Sequence, residues 1–143
     1  MKPIHILLVE DNEGDIVLTM EALQQGKFNN SMSVARDGEE AIMYFHRKGK
    51  FVEAKHPDLI LLDINLPKID GKEVLKFIKT HPVYKTVPVI ILTTSSSEAD
   101  IFDCYSGYTN CYIVKPVSLH SFIEIVHSIE NFWLSIVSLS NNR

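Results

Sequence analysis

Five side chains mark where this sequence could do chemistry. Glu10 and Asp11 follow the apolar run 4–9, Asp63 follows the apolar run 59–62, Thr93 ends the run 87–93, and Lys115 follows 111–114. A lone Asp most often serves as a turn or capping residue, so Asp63 by itself says little. Its company changes the reading. Three carboxylates offer hard oxygen ligands of the kind that Mg²⁺ accepts while keeping several waters. A metal, an ammonium and a hydroxyl donor together are the equipment for stabilising a phosphoryl group on a carboxylate. Burying an unpaired Asp costs several kcal/mol, so Asp63 is expected half exposed at the end of its strand, available as ligand or nucleophile.

These groups converge only if the elements carrying them do. Short, wholly apolar runs such as 59–62 and 89–92 read as strands buried on both faces of a parallel sheet. Between the strands lie segments with helical spacing: 15–23, 39–47 with Ala41, Ile42 and Phe45 inward, and a third after Asp70-Gly71 with Val74, Leu75, Phe77 and Ile78 inward. His81-Pro82 ends that third helix. The polar stretch 95–106 predicts a fourth helix, and Ser118 caps a last one. Residues 31–35 form a weaker, alternating strand suited to an outer position, and 49–57 an irregular, charged connection.

The result is a (βα)₅ alternation, which calls for right-handed crossovers and helices on both faces. The expected fold is α/β and flavodoxin-like, a doubly wound parallel sheet of order 2-1-3-4-5. That order is the known arrangement for such chains rather than something these residues dictate. Its switch point lies between the first and third strands, which sets Glu10-Asp11 beside Asp63. Three carboxylates so close repel one another and weaken the fold unless a cation compensates.

The chain has 143 residues, 45% hydrophobic and 22% charged, which fits one soluble domain. A net charge of −4 leaves no electrostatic footprint for nucleic acid and argues against an anionic membrane surface. The run 4–9 is too short to span a bilayer. Two cysteines, Cys104 and Cys111, without an N-terminal secretory segment point to a reducing compartment, hence a cytoplasmic protein. The six histidines are scattered and read as surface or edge residues, not a metal set. Gly14 has no companion glycines, so no Gly-rich phosphate loop follows the first strand.

Over residues 4 to about 129, the sequence resembles a response-regulator receiver domain of two-component signalling. The resemblance rests on Glu10-Asp11, Asp63 within Leu-Leu-Asp-Ile-Asn-Leu-Pro, Asp70-Gly71, Thr93 within Leu-Thr-Thr-Ser, and Lys115-Pro116. It implies that Asp63 accepts a phosphoryl group from a phosphohistidine of a sensor kinase. Asp11, Asp63 and the Asn65 backbone carbonyl would bind Mg²⁺, with Glu10 acting through water. Lys115 would pair with Asp63 or its phosphate, and Thr93 would hydrogen-bond the phosphate. Tyr112 stands where the family carries its switch aromatic, on the strand face opposite Lys115. The resemblance also implies a cis Lys115-Pro116 bond, and a phosphate pocket narrowed by Thr94.

Within the family, the chain is most similar to the stand-alone regulators of cyanobacterial phytochromes. The cues are the lengthened segment 47–57, Asn110-Cys111-Tyr112 and the terminal Ile-Glu-Asn-Phe-Trp-Leu. A phytochrome is therefore the implied kinase. An apolar stripe at helical spacing runs from 119 to 137, past the point where a receiver core ends. Residues 1–130 are thus expected to form the receiver domain and 131–143 a C-terminal helical extension. Phe132 and Trp133 would then be central to a symmetric homodimer.

No DNA-binding or catalytic module is expected after the receiver, so output would be protein contact or onward phosphotransfer to a histidine phosphotransfer protein. An aspartyl-nucleophile phosphatase would need a substrate cap that this chain lacks the length to build. A flavin carrier would want a hydroxyl-rich loop after the first strand, where Glu10-Asp11-Asn12-Glu13 would repel phosphate.

Overall fold

The computed structural model describes residues 4–25, 29–93 and 110–114, with Glu124, His127 and Asn131 as single helical positions. Five strands, β1 (Ile4–Val9), β2 (Asn30–Ala35), β3 (Leu59–Asp63), β4 (Val89–Thr93) and β5 (Asn110–Val114), form one parallel sheet of order β2-β1-β3-β4-β5. Three helices, α1 (Glu13–Gln24), α2 (Gly38–His46) and α3 (Gly71–Thr80), connect the first four strands. The flavodoxin-like order expected from the sequence is the one observed, with the weaker strand β2 at an edge.

The central strands look uniformly apolar in sequence, yet their two-residue period sorts them into two cores. Leu7, Val9, Ile60, Leu62, Val89 and Ile91 pack with Ala41, Phe45, Val74, Leu75 and Ile78 of α2 and α3. Ile6, Leu8, Leu59, Leu61, Ile90 and Leu92 pack with Ile16, Ala22 and Leu23 of α1. A sheet covered on both faces leaves its chemistry to the strand ends.

Each helix begins where a side chain takes up an orphan N–H. Asn12 accepts from the Asp15 N–H at 2.9 Å, Asp37 from Glu40 at 2.8 Å and Asp70 from Lys72 at 2.7 Å. The Asn12 cap starts α1 at Glu13, two residues before the apolar periodicity does. In α2 Ala41 and Phe45 are buried as expected, whereas Ile42 is only half-buried and Tyr44 is buried as well. The connection 49–57 contains a short 3-10 turn, Gly49–Phe51, anchored by the buried Phe51. Strand β4 begins at Val89 because Pro88 has no N–H to give the ladder; its carbonyl still accepts from Ile60 at 3.0 Å.

Two buried polar side chains escaped sequence analysis. His5 is no surface residue: it lies in β1 with its ring within 2.7 Å of Ser31 Oγ, 2.9 Å of Ser33 Oγ and 3.1 Å of the Tyr44 hydroxyl. Lys79 is buried at the end of α3, where its ammonium donates to the carbonyls of Val87 (3.1 Å) and Lys85 (3.4 Å). Burial lowers its pKa to about 8.

The expected fourth helix lies outside the described residues, as do the Lys115-Pro116 bond, Thr94, Phe132, Trp133 and most of the last helix. Glu124, His127 and Asn131 are each helical and exposed, at the three- and four-residue steps that share one face of a helix.

Candidate functional site

Register, rather than sequence distance, brings the acids together. Val9 of β1 lies beside Leu62 of β3, so the next residue on each strand sets Glu10 beside Asp63. The sheet's pleat then sends both side chains to the same face. The ladder continues one residue beyond each strand: the Glu10 N–H donates to Ala35 at 2.9 Å and the Ile64 N–H to Leu92 at 3.0 Å. Glu10, Asp11 and Asp63 each present an oxygen within 4.8 Å of the other two. Among the described residues, no other three His, Cys, Asp or Glu side chains converge in this way.

Backbone donors hold the carboxylates in place. The Asn65 N–H donates to Asp63 Oδ1 at 3.0 Å, and the Asn12 N–H to Glu10 Oε2 at 3.2 Å. Asp11 is exposed, whereas Glu10 and Asp63 keep only 1% and 2% of their surface. The expectation of a half-exposed Asp63 is corrected here. The strand stays buried to its last residue, and Asp63 is as enclosed as Glu10, leaving Asp11 as the exposed member of the three.

The cluster fits a small divalent cation. Its donors are hard oxygens, and two oxygens bound directly to Mg²⁺ can stand up to about 4.2 Å apart, given Mg–O distances near 2.1 Å. A third ligand held through water reaches further, so oxygens within 4.8 Å of one another suit one ion with mixed direct and water-mediated contacts. Two buried carboxylates side by side also need a positive charge to offset their repulsion. The N-terminus of α1, starting two residues after Asp11, supplies part of it.

Strand β4 delivers Thr93 one residue beyond Leu92, the register partner of Asp63. On β5, Val114 lies opposite Thr93, and Ile91 pairs with Tyr112. Lys115 follows Val114 in the chain and lies outside the described residues. The backbone thus carries Glu10, Asp11, Asp63 and Thr93 to one end of the sheet, as the sequence predicts.

Ion pairs that the sequence does not reveal surround this end. Arg36 meets Glu13 across the mouths of the first two loops. Lys68, in the loop after β3, pairs with Asp37 at 3.4 Å and Glu39 at 3.5 Å at the start of α2. Those two carboxylates raise the Lys68 pKa. Below them the loop backbone packs against two glycines. A Cβ on Gly38 would sit 2.0 Å from the Ile69 carbonyl oxygen, and one on Gly71 would sit 2.7 Å from that of Asp63. The Asp-Gly pairs at 37–38 and 70–71 are visible in the sequence, but only as turns.

Comparison with known proteins agrees with this geometry. Residues 6–127 match the family model of the response regulator receiver domain. Response regulator Rcp1 of a Synechocystis species is 42% identical over 137 residues, covering 96% of this chain and 93% of Rcp1. The probable methanogenesis regulatory protein FilR2 of Methanothrix harundinacea is 39% identical, covering 92% of this chain and 84% of FilR2. Among solved structures, the phosphorylated cyanobacterial phytochrome response regulator RcpA superposes with a TM-score of 0.83 at 47% identity, over 94% of this chain and 96% of RcpA. The Mn²⁺-bound form of Rcp1 gives 0.81 at 42% identity, over 92% and 95%. With the acidic cluster at the switch point of a 2-1-3-4-5 sheet, the chain belongs to the response-regulator receiver family, and its relatives include regulators of cyanobacterial phytochromes.

Proposed function

We propose that this protein is a signalling switch phosphorylated on Asp63 by a sensor histidine kinase, specifically a phytochrome, and read out through protein contacts. The observation that carries this reading is the convergence of Glu10, Asp11 and Asp63 at one strand end. A phosphorylated relative and a Mn²⁺-bound one at 47% and 42% identity support it.

In the transfer, a carboxylate oxygen of Asp63 attacks the phosphorus of a phosphohistidine. A P–O bond forms as the P–N bond breaks, and the imidazole leaves with the electron pair. The Asn65 N–H on Oδ1 fixes the plane of the carboxylate for that attack. Asp11, Asp63 and the Asn65 carbonyl would hold Mg²⁺ directly, and Glu10 through water. The ion supplies the positive charge that lets an anionic phosphoryl group approach an acidic cleft. Thr93 and Lys115 are assigned to the phosphate oxygens, and Tyr112 to relaying the change in Thr93 toward the face of the last two helices. The protein is a phosphoacceptor whose only chemistry is on itself.

Acetyl phosphate with Mg²⁺ tests the acceptor. Wild type should incorporate one phosphoryl group per chain and Asp63→Asn none; equal labelling of the variant would sink the assignment. Residues 131–143 are assigned to a helical extension beyond the receiver core, which makes a homodimer through Phe132 and Trp133. Sedimentation of a chain ending at Glu130 should show monomers, and an undiminished dimer removes that part of the reading.

A further inference from the structure

Lys68 has a left-handed backbone, φ 64°, and it is neither glycine nor asparagine. Non-glycine residues adopt that conformation at a cost, and it persists where the surroundings over-determine it. Here the surroundings are the ion pairs to Asp37 and Glu39 and the close seat of Ile69 on Gly38. In the sheet β2 and β3 flank β1, so the loops that follow β2 and β3 lie on either side of the end of β1, where Glu10 and Asp11 stand. The Lys68 bridge joins those two loops. The same loop carries Asn65, whose N–H fixes the Asp63 carboxylate.

We infer that Lys68 is a positioning residue: by tying the loop after β3 to the start of α2, it holds Asn65, and through the Asn65 N–H the orientation of the Asp63 carboxylate, as a divalent cation shared with Glu10 and Asp11 needs. The inference rests on the proposed metal site and adds a residue outside its ligand set.

Two roles for this lysine predict opposite signs. If Lys68 were only a nearby positive charge, removing it would strengthen cation binding, since charges within about 10 Å are not fully screened. If it positions the loop, removing it loosens the ligands and weakens binding despite the more favourable charge.

Mn²⁺ affinity, measured by titration calorimetry on the full chain, separates the two. Lys68→Met should bind Mn²⁺ about five-fold more weakly, the upper range for loss of an exposed ion pair. Lys68→Arg, which keeps the bridge, should bind as wild type does, and the swapped pair Lys68→Glu with Glu39→Lys should recover part of the loss. Lys68→Gly, which relieves the backbone but frees the loop, should resemble Lys68→Met. Unchanged or tighter binding by Lys68→Met overturns the inference, and so does weak binding by Lys68→Arg. If wild type itself binds no Mn²⁺, the metal reading under the proposed function fails first, which is a separate result. Melting temperatures without metal identify any variant that is merely unfolded, and the swapped pair then decides the question.

Discussion

His5 is a polar side chain in an otherwise apolar strand, and hydrogen bonding makes it tolerable there. Ser31, Ser33 and the Tyr44 hydroxyl surround the ring, and the strand's own N–H at His5 donates to Asp58 at 2.8 Å. Burial lowers its pKa, Lys55 lowers it further, and Asp58 opposes both. The unfolded chain therefore binds a proton that the folded chain resists. Stability tied to His5 is fully present above the ordinary histidine value of about 6.5 and is lost as pH falls through the lower folded value. Lys79 gives the same sign at the alkaline end: with its folded pKa near 8, stability rises between there and the ordinary lysine value. Urea midpoints from pH 5 to 10 test both. His5→Gln should flatten the acid limb and Lys79→Met the alkaline one. Identical profiles for wild type and either variant would show that the residue does not contribute.

At the scale of elements, the site is framed by helix starts. Asp37-Gly38 and Asp70-Gly71 each place a capping carboxylate first and a residue without a side chain second. The missing Cβ lets the backbone of the loop after β3 lie directly on both helices. Gly38→Ala should cost about 1–3 kcal/mol, the range for forcing a methyl group into a filled space. The obstacle is the Ile69 carbonyl, which is backbone and cannot rotate away. Thermal melting measures it, and a melting point equal to wild type would mean that the loop yields without cost. The described helices and strands were legible, because their caps and apolar runs are local signals. The contact between Gly38 and Ile69 was not, since a glycine in sequence says only that a turn is permitted. Lys79 and His5 were missed for a related reason: a lysine at the end of a helical stripe, or a histidine within an apolar run, shows nothing of the carbonyls or hydroxyls that receive it.

For the whole molecule, the cost of gathering acids at one strand end is general instability relieved by a ligand. A cation that binds only the folded state stabilises it by about 2.7 kcal/mol at a hundred times its dissociation constant. For a domain of this size that is a rise in melting temperature of about 5–10 °C. Scanning calorimetry should show this rise with saturating Mg²⁺. In Asp11→Asn the metal-free protein should melt no lower than wild type, because one repelling charge is gone, while the rise with Mg²⁺ should shrink. An equal rise in both proteins would place the ion elsewhere.

The sequence alone determined the order of the described elements, the two-sided burial of the central strands and the acids that end the first and third of them, because each is written in local periodicity and in what ends each strand. Tertiary structure decided what those local signals cannot encode: the register that sets Glu10 beside Asp63, the burial of Asp63, and the bridge from Lys68 to α2. Register and burial are properties of two segments at once, fixed when β1 and β3 pair, and neither segment carries them by itself.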